Sequence, residues 1–408
     1  MHPTVPTDRE PVLDALRGVA ILGILLVNIE VMRGSDWLVL MAGDSAPTSG
    51  LLDGVVQFTV GWLATGKFIS SLAILFGVGA GLIAARALRA GQSPRPLLAK
   101  RYAWLVAFGI AHMPLFPGDI LFLYGLTGLV LLMFVRLRVP ALLLWSAAIL
   151  GAFSALGVRY LGRLYQAVTS EHGDDVTEGD SFDEFISELQ ESVVTAYEGG
   201  TLNDILAAHV SEALLLQSTQ LLVLPWVLAL FLFGFSIARA GLLNDLRAHG
   251  TLLRRGALIG LAVGLPANIG LGFVGALAGL GMPPQSESPW MSRWADFGQF
   301  IGAPVLAVGY LCALSLYFLS RGSPGPLVAV GRMALTAYIL QSALALAVFG
   351  GLRLYDQLSS TSALLVVAAI WALLLVLCPL WLRRFRMGPL EWLWRSFTYG
   401  RGIRSTAL

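Results

Sequence analysis

Charge is what this 408-residue chain has least of. Asp, Glu, Lys and Arg together make up 13% of it, about half the usual share in a soluble domain. With 56% apolar residues and a mean hydropathy of +0.75, the composition excludes an ordinary water-soluble enzyme and indicates an integral membrane protein. Cysteine is almost absent. Cys312 and Cys378 both lie inside apolar stretches, which excludes a disulfide framework and any zinc-ligand spacing. No metal-ligand cluster, nucleotide loop or serine-centred elbow is present. The GVGAG run at 77–81 lies inside an apolar span with no strand before it. Basic and aromatic residues do not interleave as they do in nucleic-acid binders, so no nucleic-acid partner is expected. The N-terminus has no small-x-small cleavage site after its first apolar stretch, and no cleavable signal is expected.

Long apolar runs are what the chain does have. About ten of them meet the roughly 20-residue requirement for a span, near 12–32, 55–85, 101–116, 119–135, 139–161, 213–238, 256–281, 297–319, 330–350 and 362–382. The expected fold is all-α: a polytopic membrane helical bundle of about ten transmembrane helices. With the N-terminus placed in the cytoplasm, 21 Lys and Arg residues fall on the inner side and five on the outer. That asymmetry predicts cytoplasmic N- and C-termini. Four parts follow: an N-terminal five-helix half over 1–161, an acidic extracytoplasmic loop over 162–212, a C-terminal five-helix half over 213–384, and a cytoplasmic interfacial tail over 385–408. In the loop, Phe182, Phe185, Ile186, Leu189 and Val193 recur at three- and four-residue steps, one face of an amphipathic helix. That helix either lies over the bundle or acts as a lid on an outward-facing pocket. Gly77, Gly81 and Ala85 form a small-residue stripe suited to close helix packing; such stripes also permit a homodimer.

The informative residues are polar ones at membrane depth, which are costly there and usually functional. AHMPLFPGDILFLYG at 111–125 holds His112 and Asp119 seven positions apart across a Pro-rich break. Either the two meet, or Asp119 caps its helix and His112 sits in headgroup water. Asp14 and Arg17 are neighbours on one helical face, with Asn28 and Glu30 further along the same helix. Lys67 lies about twelve residues into the second span, and Tyr124 follows Asp119 closely; both are candidates to line an internal cavity. GRMALTAYILQS at 331–342 carries a polar seam of Arg332, Thr336, Tyr338, Gln341 and Ser342, for which interhelical hydrogen bonding is the simple reading. The tail, LRRFRMGPLEWLWRSFTYGR, is rich in Trp and Arg, including Arg395 and Arg401, as interfacial segments are.

The stretches LDALRGVAILGILLVNI, RYAWLVAFGIAHMPLFPGDILFLYG, GRMALTAYILQS and GPLEWLWRSFTYGR together resemble the DUF418 (YeiB-like) family of bacterial membrane proteins, over nearly the whole chain. That family is similar in its first half to a wider group of transmembrane acyltransferases, which includes the lysosomal heparan-glucosaminide acetyltransferase and, more distantly, the acyltransferase-3 proteins. The resemblance implies a multi-pass protein of the bacterial inner membrane. It implies acyl transfer from cytosolic acyl-CoA to an extracytoplasmic or membrane acceptor. By position, Arg17 is the LDALRG arginine and His112 the histidine before GDIL. Acyltransferase-3 proteins usually carry a histidine near the outer end of the first span; here Asn28 stands there, which moves the base to His112.

Two functions fit these residues. In the first, the protein is an acyltransferase. His112 is the base and Asp119 orients it. Arg17, Arg332, Arg395 and Arg401 hold the phosphates of acyl-CoA as co-substrate. Asn28, Glu30, Lys67 and Tyr124 line the path or bind the acceptor, a small molecule or glycan, and no metal is needed. In the second, it is a non-enzymatic transporter or lipid-binding protein, with the same polar residues marking a substrate pathway.

Overall fold

The computed structural model describes residues 11–41, 50–170, 179–282 and 289–399. Among them the chain is all-α, as expected. Eighteen α-helices follow in order: α1 (Pro11–Arg33), α2 (Asp36–Met41), α3 (Leu51–Leu63), α4 (Lys67–Arg89), α5 (Arg95–His112), α6 (Leu121–Leu131), α7 (Val139–Ser170), α8 (Gly179–Gly199), α9 (Leu202–Leu222), α10 (Leu224–Arg239), α11 (Gly250–Ala267), α12 (Ile269–Gly279), α13 (Pro289–Phe297), α14 (Ala303–Arg321), α15 (Gly325–Arg332), α16 (Ala334–Leu346), α17 (Ser360–Arg384) and α18 (Pro389–Tyr399), with π-helical turns at Gly298–Gly302 and Ala347–Gly351.

Several expected spans are broken. The stretch 55–85 divides into α3 and α4 at Gly66, whose φ of +82° suits glycine. α9 and α10 meet at 60° and α11 and α12 at 42°; Pro225 opens α10, and a proline supplies no amide to continue the preceding helix. Five continuous helical stretches are long and apolar enough to cross a membrane, seven if each bent pair counts as one, and Leu121–Leu131 and Val139–Ala155 add shorter apolar helices.

Helix pairs in lipid gain from close approach more than from apolar burial, and this bundle uses glycine at its crossings. A Cβ on Gly331 would lie 1.7 Å from the Asp14 carbonyl oxygen, and one on Gly18 2.2 Å from that of Leu327. α1 and α15 therefore touch backbone to backbone. The Gly77 and Gly81 stripe packs on α10, against the carbonyls of Phe231 and Phe235, so it serves a crossing within the chain.

The GPLEW segment has a structural task. Glu391 on α18 reaches the first turn of α16: Oε1 accepts from the Leu335 and Thr336 amides at 2.7 and 3.0 Å, and Oε2 accepts from the Thr336 hydroxyl at 2.6 Å. A carboxylate at a helix N-terminus satisfies unpaired amides and meets the positive end of the dipole. Burial pushes the Glu391 carboxyl up, and those hydrogen bonds pull it back. The tail thus fixes the helix that carries Ser342.

The amphipathic segment forms α8. Ile186, Leu189, Val193, Ala196 and Tyr197 are buried along one stripe, while Phe185 is exposed and lies off it. Phe182 falls among residues whose side chains are not described. α8 packs on α2, α7 and α9.

Candidate active site

α5 ends at His112, and Pro114 and Pro117 prevent its continuation. The chain turns tightly, with the Leu115 and Phe116 amides donating to the His112 carbonyl at 2.8 and 3.0 Å. Gly109, one turn before His112, lets the start of α6 lie against α5; a Cβ there would meet the Phe122 amide nitrogen at 2.3 Å and Asp119 Oδ2 at 2.7 Å. The result brings the expected pair together. His112 Nδ1 lies 2.8 Å from Asp119 Oδ1, with both side chains fully buried. Asp119 Oδ2 accepts from the Phe122 amide at 2.8 Å. Capping and pairing are therefore not alternatives: one carboxylate oxygen serves each. Gln217 on α9 holds the turn by donating to the Asp119 carbonyl at 2.9 Å.

The second ring nitrogen of His112 has a partner that local sequence did not assign. Nε2 lies 2.9 Å from Ser342 Oγ on α16. An ionised carboxylate only accepts, so partner chemistry assigns the proton to Nδ1 and leaves Nε2, in the neutral ring, to accept from the serine hydroxyl. Ser342, His112 and Asp119 form one chain of hydrogen bonds in the interior. Tyr338, one turn before Ser342, places its ring 5.1 Å from the imidazole. The i, i+4 spacing of Tyr338 and Ser342 in the polar seam was the only local signal for this.

Ser342 opens on a small cavity of about 10 Å³, whose lining includes Met32, Phe116, Pro117, Tyr197 and His209. That is room for a single water molecule. His209 on α9 points its Nδ1 at the Pro114 carbonyl at 2.8 Å, so it donates there, and its Nε2 accepts from the Tyr197 hydroxyl at 2.8 Å. Tyr197, at the end of α8, stacks on Tyr355 with centroids 3.8 Å apart. Beyond it Asp356 accepts from the amide and hydroxyl of Ser35 at 2.7 and 3.0 Å; burial pushes its carboxyl up and the Ser35 contacts pull it back. His209 and Tyr197 carry no local motif and Ser342 only its place in the polar seam, and the packing of α8, α9 and α16 around the 112–119 turn unites the three.

The other candidate residues lie elsewhere. Lys67 is buried and donates to the Gly61 carbonyl at 2.8 Å. The Tyr124 hydroxyl donates to the Ile69 carbonyl at 2.6 Å, and its ring meets Phe76 and Phe231 edge-on. Glu30 belongs to an outer network: its carboxylate accepts from Arg33 at 2.7 Å and from Ser360 at 3.0 Å, and Arg33 also reaches Asp36 at 2.8 Å. Asn28 is half-buried on α1. Arg17 pairs with Asp14 at 2.9 Å. Arg332 donates to the Arg386 carbonyl at 2.9 Å, and its neighbour Gly331 touches Asp14, so Arg17 and Arg332 sit at one end of the bundle. Arg395 is half-buried on α18, and Arg401 lies outside the described residues. No group of three His, Cys, Asp or Glu side chains able to hold a metal occurs among the described residues.

A family model for a protein of unknown function, DUF418, matches residues 237–401, a segment that includes both Ser342 and the capping Glu391. Similarity to individual proteins runs the length of the chain. The uncharacterized protein YeiB of Escherichia coli (strain K12) is 30% identical over 96% of this chain and 96% of its own. The uncharacterized protein YxaH of Bacillus subtilis (strain 168) is 29% identical over 98% and 96%. An uncharacterized 39.9 kDa protein from the amylase 3' region of Bacillus acidopullulyticus is 25% identical over 98% and 97%. No solved structure matches the chain. A helical membrane bundle whose closing motif is matched by the family model, and whose full length aligns with YeiB, belongs to the DUF418 family.

Proposed function

We propose that the protein is an acyltransferase of the bacterial inner membrane, moving an acyl group from cytosolic acyl-CoA to an extracytoplasmic or membrane acceptor with His112 as base. The observation that carries this is the buried Asp119–His112 pair, with the free nitrogen of the ring aimed at a hydroxyl beside a cavity. Removing an ionisable pair from water costs several kcal/mol. A base whose tautomer is fixed by a carboxylate is the arrangement that acyl transfer uses.

In this scheme the termini are cytoplasmic and α1 runs outward, so the cavity beside Met32 lies in the outer half of the membrane. Arg17, Arg332, Arg395 and Arg401 meet the CoA phosphates at the inner end, where guanidinium groups bind bidentately. The thioester arm approaches by way of Lys67 and Tyr124, both buried and packed in this structure, so the bundle must open to let it through, while Asn28 and Glu30 lie on the acceptor side. The acceptor is a small molecule, lipid or glycan. At about 10 Å³ the cavity holds no acceptor, so Tyr197 and α8 must swing aside to admit one; in that motion α8 acts as a lid.

The test is loss of label from radiolabelled acetyl-CoA in proteoliposomes of bacterial polar lipid. His112→Gln keeps an amide beside Asp119 but no basic nitrogen. It is expected to slow acetyl-CoA consumption by about 10²- to 10⁴-fold, the usual worth of a general base, with its elution profile unchanged. A variant that turns over at the wild-type rate contradicts the assignment. Substrate uptake with no consumption of acetyl-CoA would favour a transporter.

A further inference from the structure

His112 has two nitrogens, and neither faces open space. Nδ1 is held by Asp119, and Nε2 lies 2.9 Å from Ser342 Oγ. The ring is fully buried and lies near the rings of Phe116 and Tyr338. A base takes a proton only along its lone pair, and along that direction lies the Ser342 hydroxyl. An acceptor molecule arriving through the cavity meets Ser342 before it can meet His112, because Ser342 lines the cavity together with Tyr197 and His209.

We infer that Ser342 is the nucleophile and that the acyl group passes through an O-acyl-Ser342 ester. This rests on the acyl-transfer function proposed above and specifies it as a two-step relay. In the first step Ser342 gives its proton to His112 Nε2, and Oγ attacks the thioester carbonyl. The carbon–sulfur bond breaks, and the departing sulfur takes the proton from Nε2 to leave as the free thiol of CoA. In the second step an acceptor hydroxyl enters from the cavity side and gives its proton to Nε2. Its oxygen attacks the ester carbonyl, the bond to Oγ breaks, and the proton returns to Ser342. No oxidant or metal enters the balance. Asp119 steadies the imidazolium formed in each step. The cavity wall made by Tyr197 and His209 belongs to the second step, and an alcohol is the acceptor class that returns a proton in this way.

The relay has a signature that needs no knowledge of the acceptor. Full-length protein in nanodiscs, given acetyl-CoA and radiolabelled free CoA, should exchange label into acetyl-CoA, because the first step runs in reverse from the acyl-enzyme. Ser342→Ala is expected to lower that exchange by about 10³-fold or more. Ser342→Cys should keep measurable exchange, since a thiol can carry the acyl group. His112→Gln should exchange as poorly as Ser342→Ala. Equal elution profiles and unfolding temperatures establish that the variants are folded. Wild-type protein that consumes acetyl-CoA in lipid vesicles yet shows no exchange overturns the relay and leaves His112 acting directly on the acceptor. So does a Ser342→Ala variant that exchanges within two-fold of wild type. Protein that neither exchanges nor consumes acetyl-CoA defeats the acyl-transfer function and the relay with it.

Discussion

Replacing Asp119 with asparagine should leave a folded protein that transfers acyl groups about 10⁴-fold more slowly, the loss seen when the acid of a triad becomes its amide. The two contacts of the Asp119 carboxylate make this a clean substitution. One oxygen accepts from the Phe122 amide and the other faces His112 Nδ1. An asparagine carbonyl can keep the first bond, and its amide group then faces Nδ1. An amide donates where a carboxylate accepted, so Nδ1 must present its lone pair and the ring proton moves to Nε2. Nε2 then donates to Ser342 and can no longer take its proton. Volume is unchanged and no buried polar atom is orphaned, so stability should shift by about 1 kcal/mol or less. The check is acetyl-CoA consumption in vesicles beside the thermal unfolding of the same preparation. An Asp119→Asn variant with wild-type turnover would mean that the pair serves the fold alone.

The largest effect on stability is expected at Gly331. An alanine Cβ there would lie 1.7 Å from the Asp14 carbonyl oxygen and 2.9 Å from the Gly18 amide nitrogen. Both are backbone atoms, which no rotamer change can move. α15 must separate from α1, breaking the packing around Gly18 and shifting α16 behind it. Overpacking usually costs 1–3 kcal/mol, and a backbone-on-backbone contact belongs at or above the top of that range, about 3 kcal/mol or more, against a total stability of about 5–15 kcal/mol. Gly331→Ala should therefore unfold at a clearly lower temperature in detergent and give little monodisperse protein. Gly151, in the interior of α7, has nothing within 4 Å of a built Cβ. Gly151→Ala should be neutral or stabilising by about 0.5–1 kcal/mol, since it only removes chain entropy. Equal behaviour of the two variants would refute the close crossing of α1 and α15.

What the sequence made legible was whatever local chemistry determines. The apolar runs gave the helices, Pro114 and Pro117 gave the break, and the short turn gave the His112–Asp119 contact. The three- and four-residue rhythm of Ile186, Leu189 and Val193 gave α8. Ser342, His209 and Tyr197 stayed hidden as site residues, because each reaches the site through a crossing of helices distant in sequence. Single serines and histidines in apolar runs look alike until that packing is known. Glu391 stayed hidden as a cap for the same reason: the Leu335 and Thr336 amides it meets lie 56 and 55 positions away. The breaks between the bent pairs were also missed, since hydropathy averages across a bend.

The most direct test of the central claim, that Asp119, His112 and Ser342 act as one catalytic unit, is the acetyl-CoA consumption rate of Asp119→Asn, Ser342→Ala and the two combined. A unit already disabled at one member has little left to lose, so the double variant should be no more than about two-fold slower than the slower single variant. If the two losses instead multiply, the residues contribute independently, and the hydrogen-bonded chain is a feature of the fold rather than of the reaction.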